Sequence, residues 1–187
     1  MTDFCRVRPA TAQDITAIAQ IYAWHVLHGI ATFEEIVPDR EQMLERFVHI
    51  TTQGYPYIVA EKDGEIIGYA YASSFRPRVA YRYTVENAIY LRHDLGRMGA
   101  GSQLLAELIR LCEAGPWRQM IAVIGNSANA ASIAVHRKAG FEMIGTLAAT
   151  GFKHGQWVDT VLMQRALSGG AQTLPNTADT ATSSPAS

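Results

Sequence analysis

The stretch from Tyr83 to Leu111 changes its hydrophobic period in mid-course, and that change constrains the fold more than any other feature of the chain. "YTVENAIYL" alternates as a strand does, then Gly96-Arg97-Met98-Gly99-Ala100-Gly101-Ser102 places three glycines within six residues. Leu104, Leu105, Leu108, Ile109 and Leu111 follow at helical spacing. A strand therefore runs through a glycine loop straight into a helix. The first N–H groups of that helix have no intrahelical acceptor, and the helix dipole adds partial positive charge at the same end. Glycines remove the Cβ atoms that would hold a ligand away. The loop thus suits a phosphorylated ligand, most simply a pyrophosphate, with Arg97 adding full charge. The alternative is a tight turn that holds nothing. The terminal Lys-Ser/Thr of a Walker loop is missing, and the spacing is not the dinucleotide fingerprint.

The rest of the chain alternates between the same two periods. "FCRVRPA" reads as a strand. Thr11 with Asp14 offers a capping pair ahead of Ile15, Ile18, Ala19 and Tyr22, and a second helix starts near Pro38–Asp39 with Met43, Leu44, Phe47 and Ile50 as its stripe. "YPYIVAE" and "IIGYAYASS" flank the turn "KDGE" as a hairpin; "MIAVIG", "FEMIGTLAAT" and "WVDTVLMQ" are further strands, and "NAASIAVHRKAG" is a helix closed by Gly140. The order β-α-α-β-β-β-α-β-α-β-β implies an α/β (α+β) domain, one mixed sheet of about seven strands flanked by helices. From Ser168 on, "SGGAQTLPNTADTATSSPAS" has too little apolar surface to offset its ordering entropy, so the expectation is one domain over 1–167 and a disordered tail over 168–187.

Composition removes several function classes. With 187 residues, 18% charged and a net charge of −1, the chain shows no basic excess for nucleic acid. No apolar run approaches a membrane span, and "MTDFCRVRPA" lacks the apolar core of a signal peptide. Cys5 and Cys112 stand far apart without metal-ligand company, so they read as packing residues in a reducing cytoplasm, and no metal is expected.

A second motif follows the loop: N-x-x-S-x-x-x-H-x-x-x-G-F over Asn129, Ser132, His136, Gly140 and Phe141. Asn129, Ser132 and His136 share one helical face. By itself this face can be merely solvated or capped. Strand, glycine loop and this motif together, in this order, resemble the acetyl-CoA site of the GNAT superfamily of N-acetyltransferases over roughly residues 5 to 165. The resemblance implies a twisted, mostly antiparallel sheet with a V-shaped splay between central strands. It places the pyrophosphate of acetyl-CoA on Arg97, Met98, Gly99, Ala100, Gly101 and Ser102, and the pantetheine arm along the strand at Ile89, Tyr90 and Leu91. Asn129, Ser132 and His136 complete the cofactor groove, and His136 sits where relatives carry a residue able to protonate the leaving thiolate. One departure is Gly96, where relatives commonly have Gln or Arg.

Transfer to an amine requires the acceptor ammonium to lose a proton before it attacks. Glu86 is the candidate base, since a carboxylate within "YTVENAIYL" is costly to bury unpaired; the alternatives are a surface-facing residue or an ion pair with Arg82. "IATFEE", "SFRPRVAYRYTVENAIYL" and "TGFKHGQWVDTVLMQ" are similar to the phosphinothricin and methionine sulfoximine or sulfone acetyltransferases. That resemblance implies an acceptor pocket lined by Phe33, Arg76, Arg78 and Glu86, a homodimer, and Lys153, His154 and Trp157 on a hairpin near the acceptor site. Two guanidinium groups suit a small amino acid analogue with a carboxylate and a second oxyanion-like group. The same arginines can instead form a solvated basic loop, and Phe33 can simply pack the end of the first helix. Two other functions stay open at this point: a GNAT enzyme for another amine, such as a protein N-terminus, and a CoA-binding sensor without catalysis. ATP binding is disfavoured by the missing lysine and the lack of magnesium carboxylates.

Overall fold

The computed structural model describes residues 4–95 and 99–175. Gly96, Arg97 and Met98, singled out above, lie outside the described residues, as do residues 176–187. The strands are β1 (Arg6–Pro9), β2 (Tyr57–Lys62), β3 (Glu65–Ser74), β4 (Thr84–Leu91), β5 (Gln119–Gly125), β6 (Glu142–Lys153) and β7 (Gln156–Ala166). The helices are α1 (Ile15–His28), α2 (Arg40–Thr52), α3 (Ala100–Glu113) and α4 (Ala130–Lys138). Both expected helix starts are built as anticipated. The Thr11 N–H donates to Asp14 Oδ2 over 2.8 Å, and Asp39 Oδ1 accepts from the Gln42 N–H over 2.8 Å.

The strands form one sheet in the order β1-β2-β3-β4-β5-β7-β6, antiparallel throughout except between β4 and β5. Period-2 alternation divides the sheet between two cores. Ile58, Ala60, Ala70, Ala72 and Val85 meet Leu104, Leu105 and Leu108 of α3 on one face. Tyr57, Val59 and Tyr69 meet Ile15, Ile18, Tyr22 and Val26 of α1 and Met43 of α2 on the other. Each central strand is thus covered twice, which explains its nearly continuous apolar sequence.

The feature that creates a site is a pairing that stops early. β4 and β5 pair from Thr84↔Gln119 to Asn87↔Ala122 and no further. Beyond that register β4 stays with β3 as far as Leu91↔Gly68, while β5 stays with β7 as far as Gly125↔Thr160. The two central strands therefore splay into a wedge whose apex is Asn87.

After Leu167, which is fully buried, residues 168–175 form turns rather than ending the fold abruptly. Ser168 Oγ donates to Glu113 O over 3.0 Å, and Arg118 Nη2 donates to Leu174 O over 2.8 Å.

Candidate active site

Backbone phase decides what the wedge offers. Arg92 N–H donates to Ile67 O and Thr84 O accepts from the Phe75 N–H, so the even-numbered residues of β4 direct their peptide groups toward β3. Asn87, Ile89 and Leu91 consequently direct theirs toward β5, and past Asn87 no strand is there to meet them. His25 Nε2 donates to Leu91 O over 2.8 Å and holds the end of β4 against α1. The Leu91 side chain packs where Gly68 and Gly101 leave room, since a Cβ on Gly68 would lie 2.5 Å from Leu91 Cδ2.

The wedge opens as a cavity of about 260 Å³. Glu86, Asn87, Ile89 and Tyr90 line it from β4, Ala122, Ile124 and Gly125 from β5, and Asn129, Ser132 and His136 from α4. Thr32 and Phe33 close it from the loop between α1 and α2, and Tyr71 from β3. Thus Phe33, Glu86, Ile89, Tyr90, Asn129, Ser132 and His136, expected from separate parts of the chain, converge here. Leu91 belongs to the neighbouring packing instead.

Glu86 and Asn87 are adjacent and so project to opposite faces of the sheet. Glu86 shares its face with Tyr71 and Tyr90, beneath α1. It makes no ion pair among the described residues, and partial burial raises its pKa above the ordinary carboxylate value. Arg82 instead donates to Val79 O over 3.2 Å, so the ion-pair alternative for Glu86 is not what the structure forms. The Tyr71 hydroxyl is pushed up to about 12 by burial and stays protonated.

On the other face, His136 is 5% exposed. Its Nδ1–H donates to Ser132 O over 2.8 Å, and its Nε2 lies 3.0 Å from Asn87 Oδ1. Burial lowers the pKa of the imidazole. Asn129 caps α4, accepting from the Ser132 N–H over 3.2 Å.

At the start of α3, Gly99 is the N-cap with φ of 91°, a left-handed conformation that favours glycine, and no side chain of the described residues caps it. The first turn closes with Gln103 N–H donating to Gly99 O over 3.0 Å. Ala100, Gly101 and Ser102 therefore begin the helix with N–H groups ahead of the first internal bond, as an anion cradle requires.

The loop carrying Thr32 and Phe33 is seated closely. A Cβ on Gly125 would lie 2.3 Å from Ile30 O, and one on Gly151 would lie 2.4 Å from Phe33 Cζ. Lys153, 1% exposed, donates from Nζ to Thr32 O over 2.8 Å. Thr32 Oγ1 meets Tyr22 Oη at 2.9 Å, and Tyr22 donates to Glu34 Oε1, which Arg46 also holds. Phe33 thus walls the cavity rather than merely ending α1.

Arg76 and Arg78 differ from expectation. Both are exposed, and neither lines the cavity. The loop they occupy turns outward after Ser74, whose Oγ donates to Arg76 O over 3.0 Å. The Arg76 guanidinium lies over the Phe75 ring, 5.2 Å from its centroid. The loop nevertheless starts one register step from the Ser73↔Glu86 pair.

Asn87, Thr32, Tyr71, Gly125 and Thr160 were not identified from sequence. Asn87 carried a usable signal: it is the polar residue in phase with Val85, Ile89 and Leu91. The others depend on long-range contacts that local spacing does not encode.

This wedge, with a glycine-started helix beside it, is the arrangement of an acetyltransferase. The model of the acetyltransferase (GNAT) domain matches residues 7–162, and the chain belongs to that family. The chain is 50% identical over 171 residues to a phosphinothricin N-acetyltransferase of Alcaligenes faecalis, covering 91% of this chain and 87% of the relative. It is 38% identical over 159 residues to an L-methionine sulfoximine/L-methionine sulfone acetyltransferase of Pseudomonas aeruginosa, covering 84% and 92%. In structure it resembles a GNAT superfamily phosphinothricin acetyltransferase from Sinorhizobium meliloti in complex with AcCoA, with a TM-score of 0.91, 49% identity, and coverage of 94% and 95%.

Proposed function

We propose that this protein transfers the acetyl group of acetyl-CoA to the α-amino group of a small acidic amino acid analogue of the phosphinothricin or methionine sulfoximine type. The observation that carries the reading is the end of β4–β5 pairing at Asn87, with Glu86 and His136 on the wedge that results. The residues fit acetyl-CoA. Among the described residues no side chain caps the α3 cradle, and the Ile89 peptide groups and the Leu91 N–H can extend the sheet to an arm laid along them. In this reading residues 97–102 and Asn129 bind the cofactor, with Ser132 beside them.

Acetyl-CoA supplies the acetyl group as an activated thioester. A peptide N–H near Ile89 polarises the thioester carbonyl. Glu86 takes a proton from the acceptor ammonium, directly or through water, and its raised pKa brings it closer to the working range of a general base. His136 Nε2–H gives a proton to the departing sulfur. Phe33 excludes water from the acceptor end. Arg76 and Arg78, in the exposed loop beside Glu86, bind the acceptor's oxyanions after that loop folds inward. The protein acts in the cytoplasm as a homodimer; among the described residues no helix is long and apolar enough to cross a membrane.

Steady-state kinetics with phosphinothricin, methionine sulfoximine and methionine sulfone, beside ordinary amino acids, a polyamine and a peptide N-terminus, test this reading. The three acidic analogues should show the highest kcat/KM. Preference for the polyamine or the peptide would overturn it, and acetyl-CoA binding without turnover of any amine would favour a sensor. Sedimentation of the purified protein tests the homodimer.

A further inference from the structure

The environment of His136 assigns different duties to its two nitrogens. Ser132 O is a peptide carbonyl, which can only accept, and it lies 2.8 Å from Nδ1. Nδ1 therefore keeps its proton, and any proton gained or lost by the ring belongs to Nε2. The Nε2 atom faces the carboxamide of Asn87, itself 6% exposed, at 3.0 Å. In this orientation Asn87 Oδ1 accepts from a protonated Nε2, while Asn87 Nδ2 donates to Ile121 O over 3.4 Å. That second bond is long, so little is lost when it is given up, although the turned amide then sets Oδ1 toward Ile121 O. A half-turn of the amide would then present Nδ2–H to a bare Nε2. A carboxamide is the side chain that can meet both states of the ring without moving its backbone. The backbone is held at the last paired register of β4 and β5. Among the described residues, no charged side chain hydrogen-bonds the ring; Ser132 Oγ lies 3.5 Å from Nδ1, and Phe141 stands edge-on at 5.1 Å.

We propose that Asn87 is the positioning residue for His136, holding Nε2 in the wedge in both protonation states by turning its amide. The inference rests on the reading that His136 protonates the departing sulfur. In that step the Nε2–H bond breaks, an S–H bond forms, and the imidazolium becomes the neutral Nδ1–H ring. Asn87 then turns to donate to Nε2, and solvent later restores the proton.

The test is a double-mutant cycle with a spectroscopic readout. Asn87→Ala should lower kcat about tenfold, within the range of a general-acid contribution, with KM for acetyl-CoA little changed. In a His136→Phe background the same change should cost less than about twofold, because its route of action is gone. Equal losses in both backgrounds would overturn the proposal and leave Asn87 as a stitch between β4 and β5. If Asn87→Ala does not fold, Asn87→Asp serves. It keeps an acceptor oxygen but offers no N–H, so ring ¹⁵N spectra should show both nitrogens of His136 protonated at a pH where the wild type carries only Nδ1–H. A wild-type neutral ring protonated at Nε2, or an Asn87→Asp ring unchanged from wild type, refutes it. Failure of the parent reading looks different: His136→Phe alone would then leave kcat intact while the ring signatures still respond to Asn87.

Discussion

Gly125→Ala should detach acceptor binding from cofactor binding. Gly125 ends β5 opposite Thr160, and its φ lies outside the left-handed region, so alanine is acceptable to the backbone itself. The cost arises from contact. The new methyl carbon would stand 2.3 Å from Ile30 O and 3.5 Å from Ala31 Cα, where real Cβ contacts begin at 3.0 Å. A peptide oxygen cannot rotate away like a side-chain tip, so the segment at Ile30 must retreat by most of an ångström. Two residues on, Thr32 O holds Lys153 Nζ at 2.8 Å and Thr32 Oγ1 holds Tyr22 Oη at 2.9 Å. A retreat of that size takes both toward the limit of a hydrogen bond. Overpacking of this kind costs about 1–3 kcal/mol. In a domain of this size each kcal/mol lowers Tm by about 2–4 °C. Displacement of Phe33 should raise KM for the acceptor by about tenfold, equivalent to roughly 1.4 kcal/mol. The KM for acetyl-CoA should change less, because the start of α3 is not part of this cavity wall. Scanning calorimetry and two-substrate kinetics measure both effects. A wild-type Tm with unchanged acceptor KM, or a rise in acetyl-CoA KM alone, would refute the reasoning.

Glu86→Gln should lower kcat by about 10²–10⁴-fold, the usual span for losing a general base, while acetyl-CoA binding measured by calorimetry stays near wild type. The same change should raise stability at neutral pH. Glu86 has a folded pKa above its ordinary value, so its ionisation removes stability as pH rises through that range, and glutamine escapes the loss in chemical denaturation above it. In the wild type, kcat/KM should fall as pH drops through the raised Glu86 pKa. The ratio of wild-type to His136→Phe kcat should shrink as pH rises through the lowered His136 pKa, because the imidazolium disappears; a ratio growing with pH would assign His136 to a base. Gly99→Val should raise KM for acetyl-CoA with little effect on acceptor KM, since a β-branched residue at φ of 91° is strained by roughly 1–2 kcal/mol and would distort the first turn of the α3 cradle.

Much of this architecture was legible because it is written in local periods. The α1 and α2 starts at Asp14 and Asp39 follow from capping residues three positions ahead of their partners. The strand-loop-helix from Thr84 to Glu113 follows from a change of period across glycines. The α4 face followed from residues three and four apart. Other features were hidden because they depend on partners distant in the chain. Gly125 looks like the end of a strand until Ile30 is seen resting on it. Lys153 is placed by the resemblance on a hairpin near the acceptor site, but its burial beneath the Thr32 carbonyl is not readable from the sequence. Glu86 and Asn87 both looked like polar residues in a strand, and only the sheet shows them facing different helical layers. Arg76 and Arg78 mark the converse limit: residue chemistry suggested a pocket wall, whereas the loop conformation holds them outward.

On the proposed mechanism, the wedge keeps apart two proton transfers that must not short-circuit. A base that takes the ammonium proton and an acid that protonates sulfur would neutralise each other if they touched. Consecutive residues of a strand cannot touch through their side chains, because the pleat sends them to opposite faces. Glu86 therefore faces the α1 side, where burial raises its pKa, and Asn87 meets His136 on the α4 side, where burial lowers the pKa of the imidazole. Burial moves both groups toward their neutral forms, while the sheet keeps them apart. The early end of β4–β5 pairing thus does more than admit a cofactor. It opens one cavity to side chains from both faces of the sheet, Glu86 and Tyr71 on one and Asn87 and His136 on the other.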